Sequence, residues 1–573
     1  MPITVPQSAS DDIRLPGAGR ARPRRRARAL GAVALAAAVL VATAACGSSG
    51  SGSGGQAGAA EGSAPVDGGT LRFAAEVEPD CLDPAVSPAD VTGVVDRNVF
   101  DSLVRLDDAG TFHPWLAKSW QVSPDGLTYT FHLRTDVLFH DGTKLDAAAV
   151  KASLEHAVAP ATKSLYAGGL LEGFAGADAP DPATAVIRLS KPRAALLQAL
   201  STPYLGIQSP KSLADNAADL CRKPVGSGPF SFESWEKSTS VTLKRNPAYA
   251  WGPEGAAHTG AAHLDKLVFQ IVPEDSVRQG QLRSGQIEIA GNAAPARIAD
   301  LKTAKGFQVL QQAAPGQVYA LFLNPVSGVL SDERVRSAFA RSIQIDALVK
   351  SVYHDTRHRA QGPLGPGTVY YNKAVEGVIG YDPAAAGKLL DDAGWTGRDA
   401  DGYRTKDGKR LTLVWPTSAY LSRDSRDLLA QGVQADAKKV GIELQYVNQD
   451  PGTFAKTAMG GGANVLGFSF VRPEADILRH YFGSASTAEK GGSNLFRISD
   501  PQLDGWLDQG ATSSDPAVRG QAYGQAQKYV VDHVLEVPLY VPVTALGASS
   551  RVRGVDFDAI AFPLFYDAWL AAR

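Results

Sequence analysis

FDSLVRLDDAGTFHPWLAKSWQVSPDGLTYTFHLRTDVLFHDGTKLDAAAVKASLEH, from Phe100 to His156, carries the reading of the fold. Tyr129 to Leu133 (YTFHL) alternates at period two, the mark of a half-buried strand. The Asp141-Gly142 pair then reads as a turn. Asp146 is placed to cap a helix whose Val150, Leu154 and Val158 share one face. Trp115, Trp120, Phe131, Leu133 and Phe139 read as core packing, because strand aromatics generally face the interior. Outward from this stretch the same alternation continues. Thr70 to Ala74 is a predicted strand. A helix follows Asp332, with Val335, Phe339 and Ile343 at spacing four. Another follows Asp382, with Pro383 in its first position, Leu389 and Leu390 in its body and Gly394 as its stop. Leu411 to Trp415 (strand), Pro416 to Ser422 (loop), Leu428 to Val440 (helix) and Ile442, Leu444, Tyr446 (strand) form one strand-loop-helix-strand unit. In such units a ligand is met where the first strand runs into the helix N-terminus. The class is α/β, with sheets flanked by helices.

The N-terminus decides the compartment. Arginines at 20, 22, 24, 25, 26 and 28 precede the uncharged apolar run Leu30 to Ala45, sixteen residues long and short for a membrane span, and then Cys46. Residues 1–46 are therefore expected to be a secretion signal. The Gly/Ser/Ala tract from Gly47 to Ser63 is expected to be a flexible tether, which ends by residue 66. Seven arginines and two aspartates lie in residues 1–45, so removing their +5 from the net −2 leaves −7. A chain that acidic is a poor partner for nucleic acid. Cys81 and Cys221, the remaining pair in an exported chain, are expected to form a disulfide. The sequence holds no G-x-S-x-G elbow and no H-E-x-x-H helix. Gly226 to Pro229 lacks the Lys-Ser/Thr of a phosphate loop and reads as a structural turn. Only His354 and His358 stand at i, i+4 spacing, and two ligands leave a metal site incomplete. No catalytic residue, metal or cofactor is expected.

Several blocks resemble the solute-binding proteins of peptide and nickel ABC importers. Besides Phe100 to His156 they are LDPA (Leu82 to Ala85), PVGSGPF (Pro224 to Phe230), RVRSAFARSIQIDALV (Arg334 to Val349) and YDPAAAGKLLDDAGW (Tyr381 to Trp395). Thr43, Ala44 and Ala45 before Cys46 resemble a lipobox, with Thr43 where Leu is usual. The resemblance implies a monomeric lipoprotein, lipidated at Cys46 and anchored on the outer face of the cell membrane. It would deliver a peptide-like or other small solute to permease subunits served by cytoplasmic ATPases. It further implies a two-lobed type II (cluster C) binding fold that closes on its ligand. Lobe I would be 67–105, 222–312 and 536–573, with an inserted domain over 106–221, and lobe II would be 313–535. A secreted hydrolase or a surface-sensing lipoprotein on the same fold is the alternative.

For the ligand site, the resemblance directs attention to Tyr166, Trp415, Tyr420, Phe468, Phe470, Arg472 and Tyr540. The block GFSFVRPEAD departs from the peptide-binding pattern, which has an aspartate where this chain has Val471. A second acidic position falls at Phe322. A buried ammonium would find no partner there, unless Glu474 or Asp476 substitutes. Arg472 points instead to an anionic or carboxylate-bearing solute, its alternative being a solvated surface arginine.

Overall fold

Local capping chemistry sets the helices where the sequence places them. The computed structural model describes residues 64–418, 421–422, 424–490 and 492–572. Cys46 and Tyr420 lie outside them. Asp146 accepts from the Ala149 N–H and opens helix Ala147–Val158, with Val150 and Leu154 fully buried. Val158, expected on the same face, is 39 % exposed, because it is the last helical residue and lies past the packed turn. Asp332 caps Glu333–Ser342 through the Arg334 N–H. Ile343, just after that helix, has turned to extended backbone but is still buried. Asp382 caps Pro383–Asp392, and Gly394 takes the left-handed conformation (φ 87°) that ends it. His354 caps helix Ile345–Tyr353 in a left-handed conformation, so the helix stops there and His358 shares no face with it.

The strand-loop-helix-strand unit is a parallel pair, Thr412–Ser418 beside Glu443–Gln449, joined by helix Arg426–Lys439. The first strand runs three residues further than expected. Pro416, Thr417 and Ser418 keep register with Val447, Asn448 and Gln449.

Three other sheets frame the molecule. A mixed seven-stranded sheet has the order Phe307–Ala313, Val543–Ser549, Ile289–Ala290, Thr70–Ala75, Lys266–Ile271, Ser240–Arg245, Phe230–Glu236. A three-stranded sheet has Gly316–Leu323 between Val465–Val471 and Glu536–Tyr540. A four-stranded antiparallel sheet orders Ala117–Val122, Thr128–Leu133, Thr184–Leu189 and Phe174–Asp181. The four-stranded and seven-stranded sheets share one large core, whereas the three-stranded sheet separates two others.

Glu536–Tyr540, which the expected boundary assigns to lobe I, pairs with Gly316–Leu323 of the three-stranded sheet. Among the described residues the chain passes between the two sheets only at Ala314–Pro315 and at Val541–Pro542, where the Ala314 N–H donates to the Pro542 carbonyl at 2.8 Å. Proline has no N–H to continue a ladder, so each crossing is a natural break. Cys81 and Cys221 are joined, tying positions 140 residues apart. No helix among the described residues is long and apolar enough to cross a membrane.

Candidate functional site

The strand Val465–Val471 ends beside the first crossing, and Arg472 continues from it with its N–H directed at the Pro315 carbonyl, 3.3 Å away. The Arg472 guanidinium lies 4.6 Å over the Tyr166 ring and 5.4 Å over that of Phe470. Its Nε is buried and has no hydrogen-bond partner. Tyr166 opens the short helix Ala167–Leu170, its ring 5.8 Å from Phe470 and edge-on to Tyr204 at 4.8 Å. The fold therefore brings three predicted site residues together, although Tyr166 is some 300 positions from the other two in the chain. Phe468, one pleat back on the same strand face, sits 6.2 Å from Phe322, which also packs on Tyr481 and Phe482.

Trp415 and Tyr540 belong elsewhere. Trp415 is 2 % exposed, set edge-on to Tyr446 at 4.8 Å. Tyr540 is fully buried between Tyr319 and Tyr353, donating its hydroxyl to Asp424 at 3.0 Å and accepting from Arg426 Nε at 3.1 Å. Both are framework, because aromatic residues on strands fill the core as readily as they line a cleft.

The two carboxylates that follow Val471 in the chain, Glu474 and Asp476, are already engaged. Glu474 is buried and ion-paired with Arg519. Asp476 accepts from Arg479 Nε at 3.0 Å and from the Tyr523 hydroxyl at 3.1 Å. Burial pushes the Asp476 carboxyl up, but Arg479, Arg193 and the tyrosine outweigh it and hold it near 2. Glu172, from the segment 106–221, receives Arg479 at 2.9 Å, Arg193 at 3.3 Å and Lys191 at 2.6 Å. Burial pushes the Glu172 carboxyl up, yet Lys191 and Arg479 outweigh it and bring Glu172 to about 2. Burial first, and then Arg472 and Arg479, depress His480 to about 4, so this imidazole is neutral at pH 7. Sequence reasoning missed the cluster of Glu172, Arg193 and Arg479, since the Glu172–Arg479 pair spans 307 positions and leaves no local signature.

Residues 111–488 match the model of the bacterial extracellular solute-binding proteins, family 5. This chain belongs to that family. As a family 5 protein it is the solute-binding component of an ABC importer, built on the type II periplasmic-binding fold. It is 28 % identical over 481 residues to the glutathione-binding protein GsiB of Escherichia coli O1:K1, an alignment covering 82 % of this chain and 89 % of that one. NikA from Brucella suis in complex with Fe(III)-EDTA superposes with a TM-score of 0.77 at 25 % identity, covering 86 % of this chain and 98 % of NikA. DppA from Helicobacter pylori in complex with the peptide STSA gives 0.72 at 25 % identity, covering 88 % and 99 %. These family 5 relatives are binding proteins, and the packing of Arg472 against the paired rings of Tyr166 and Phe470 is the feature of this member that bears on its ligand.

Proposed function

We propose that this family 5 protein is the extracytoplasmic receptor for a carboxylate-bearing solute, which it seats where Tyr166, Phe470 and Arg472 meet. The observation that carries this reading is the buried, unpartnered Nε–H of Arg472. A buried charged donor without an acceptor costs on the order of 1–3 kcal/mol, which a ligand oxygen would recover. The relatives support the class, because glutathione, EDTA and a peptide, each named with one of them, all bear carboxylates. Capture of a peptide by its free amino terminus is disfavoured. Val471 and Phe322 offer no charge, and Glu474 and Asp476 would have to release Arg519 and Arg479. The crossings at Ala314–Pro315 and Val541–Pro542 suit a hinge that closes on the solute and presents the closed form to the permease.

A thermal-shift screen with glutathione, short peptides and aminopolycarboxylate chelates tests this, since a ligand bound only by the folded state raises the melting temperature. Arg472→Ala is expected to weaken the best carboxylate solute by about tenfold or more. Equal affinity in the variant would retire the reading.

The anchor is read from the leader. We take Cys46 as the lipidated residue that holds the receptor at the outer face of the membrane. Cys46→Ser is expected to move the protein from the membrane fraction to the medium. Retention in the membrane fraction would mean that the apolar leader itself is the anchor.

A further inference from the structure

We propose that this protein has a second binding site, an aromatic-walled cavity that takes a small, planar, electrically neutral molecule carrying a hydrogen-bond acceptor. None of Tyr166, Phe470 and Arg472 borders this cavity, so it lies beyond the solute seat described above.

The cavity encloses about 860 Å³ among the hairpin of Val104–Leu106 and Phe112–Pro114, the loop at 253–256 and the C-terminal stretch 554–567. Voids between packed side chains rarely exceed a water molecule, whereas small-molecule sites are concave, largely apolar and fitted with a few placed polar groups. Trp115, Tyr249, Phe565 and Tyr566 form its walls, all buried. The Tyr249 hydroxyl donates to Asp101 at 3.1 Å and the Tyr566 hydroxyl to the Gly260 carbonyl at 2.9 Å. Both acceptors lie outside the lining, so these tyrosines present rings rather than free hydroxyls. Such walls favour a flat aromatic guest, which stacks or packs edge to face against them.

The indole nitrogen supplies the polar requirement. Trp115 is 7 % exposed, and its Nε1 is buried with no hydrogen-bond partner, the Tyr249 hydroxyl beside it being out of hydrogen-bond geometry. The same atom of Trp251 donates to Asp101 at 2.9 Å, and that of Trp235 to Glu78 at 2.9 Å. An indole N–H is a donor only, so Trp115 lacks an acceptor, and one on the guest provides it.

The charges of the lining already cancel. Arg97 Nε donates to Asp558 at 3.2 Å, and its terminal nitrogens reach the Ser102 hydroxyl at 2.9 Å and the Ser201 carbonyl at 2.8 Å. Asp567 meets His258 Nδ1 at 2.6 Å, and His258 Nε2 faces the Ala261 carbonyl at 3.1 Å. Both ring nitrogens therefore donate, and the imidazolium neutralises Asp567. Arg105 and the exposed Asp556 are the remaining charged groups, one of each sign. A guest with a net charge would leave water without a free counter-charge to meet it, which selects for neutrality. Helix Asp90–Val99 serves both sites, one turn apart. An added Cβ at Gly93 would meet Phe562 at 2.5 Å and the Tyr204 hydroxyl at 3.1 Å, and Tyr204 backs Tyr166. Arg97 and Asn98, a turn later, border the cavity.

Benzamide, benzoate and benzamidinium share one outline and differ in charge, and isothermal titration of each into the purified protein tests the site. Benzamide is expected to bind. Trp115→Phe, which keeps a ring and removes the N–H, and Ala256→Leu, which fills part of the cavity, should each weaken it about tenfold or more. Arg472→Ala should leave it unchanged. Absence of benzamide binding in the wild type, or equal affinity in both cavity variants, overturns the second site. Loss of benzamide in Arg472→Ala would place it in the solute seat, which overturns the second site and leaves that seat standing. Weakening in Ala256→Leu but not in Trp115→Phe overturns the indole as the donor. Benzoate or benzamidinium binding the Arg472→Ala protein as tightly as benzamide overturns the neutral class. Should Trp115→Phe fail to fold, Ala256→Leu decides.

Discussion

Trp415→Ala is expected to destabilise the protein by about 3–5 kcal/mol while leaving solute affinity unchanged in the folded fraction. The indole is 2 % exposed in the core formed around the parallel pair, and it stands opposite Tyr446 in the strand register. Its ring closes on Gly467 of the neighbouring sheet, where an added Cβ would come within 3.0 Å of the indole. Truncation to Ala removes the largest fully buried side chain of this core and leaves a cavity that the strand cannot fill by shifting, because both strands are held by their ladder. Chemical denaturation followed by tyrosine and tryptophan fluorescence measures the loss. Trp415→Phe should recover much of it. An alanine variant with unchanged stability and lost solute binding would return Trp415 to the ligand site, contrary to its position here.

The contrast between Trp415 and Phe470 shows what a sequence can and cannot yield. Capping is local chemistry, so Asp146, Asp332 and Asp382 could be assigned from a few neighbouring residues, and each accepts the bond expected of it. Whether a strand aromatic faces core or cleft depends on what lies across from it. Trp415 meets Tyr446, whereas Phe470 meets Tyr166 from a segment three hundred residues earlier. Matching blocks, not periodicity, brought Tyr166, Phe470 and Arg472 to attention together. They could not bring Arg193 or Arg479, which meet Glu172 only once the chain is folded. The misplaced boundary at residue 536 has a similar origin. The run EVPLYVPV carries two prolines, and either could mark the crossing. Pro538 lies in an edge strand, where a missing N–H is tolerated, so the break falls at Pro542.

Glu536→Gln is expected to stabilise the protein at neutral and alkaline pH and to have little effect near pH 4. Glu536 is fully buried in the edge strand, opposite Phe322. Its Oε2 accepts from Gln317 Nε2 at 2.8 Å, and its Oε1 has no partner. Burial pushes its carboxyl from an ordinary 4.5 up to about 8, and the one hydrogen bond from Gln317 offsets only part of this. Because the folded state holds the proton more tightly than the unfolded chain, folding is unpenalised below about pH 4.5 and loses stability as pH rises toward 8. One proton corresponds to about 1.4 kcal/mol per pH unit, which amounts to roughly 3 kcal/mol at pH 7. Glutamine keeps the acceptor for Gln317 and the side-chain volume, and removes the charge that must be neutralised. Melting temperatures of the two proteins, measured from pH 4 to pH 9, should coincide at the acid end and diverge steadily until about pH 8. Parallel curves across the range would mean that Glu536 is ionised in the folded protein. In that event its buried neighbourhood would have to contain a cation or ordered water that pairs with Oε1.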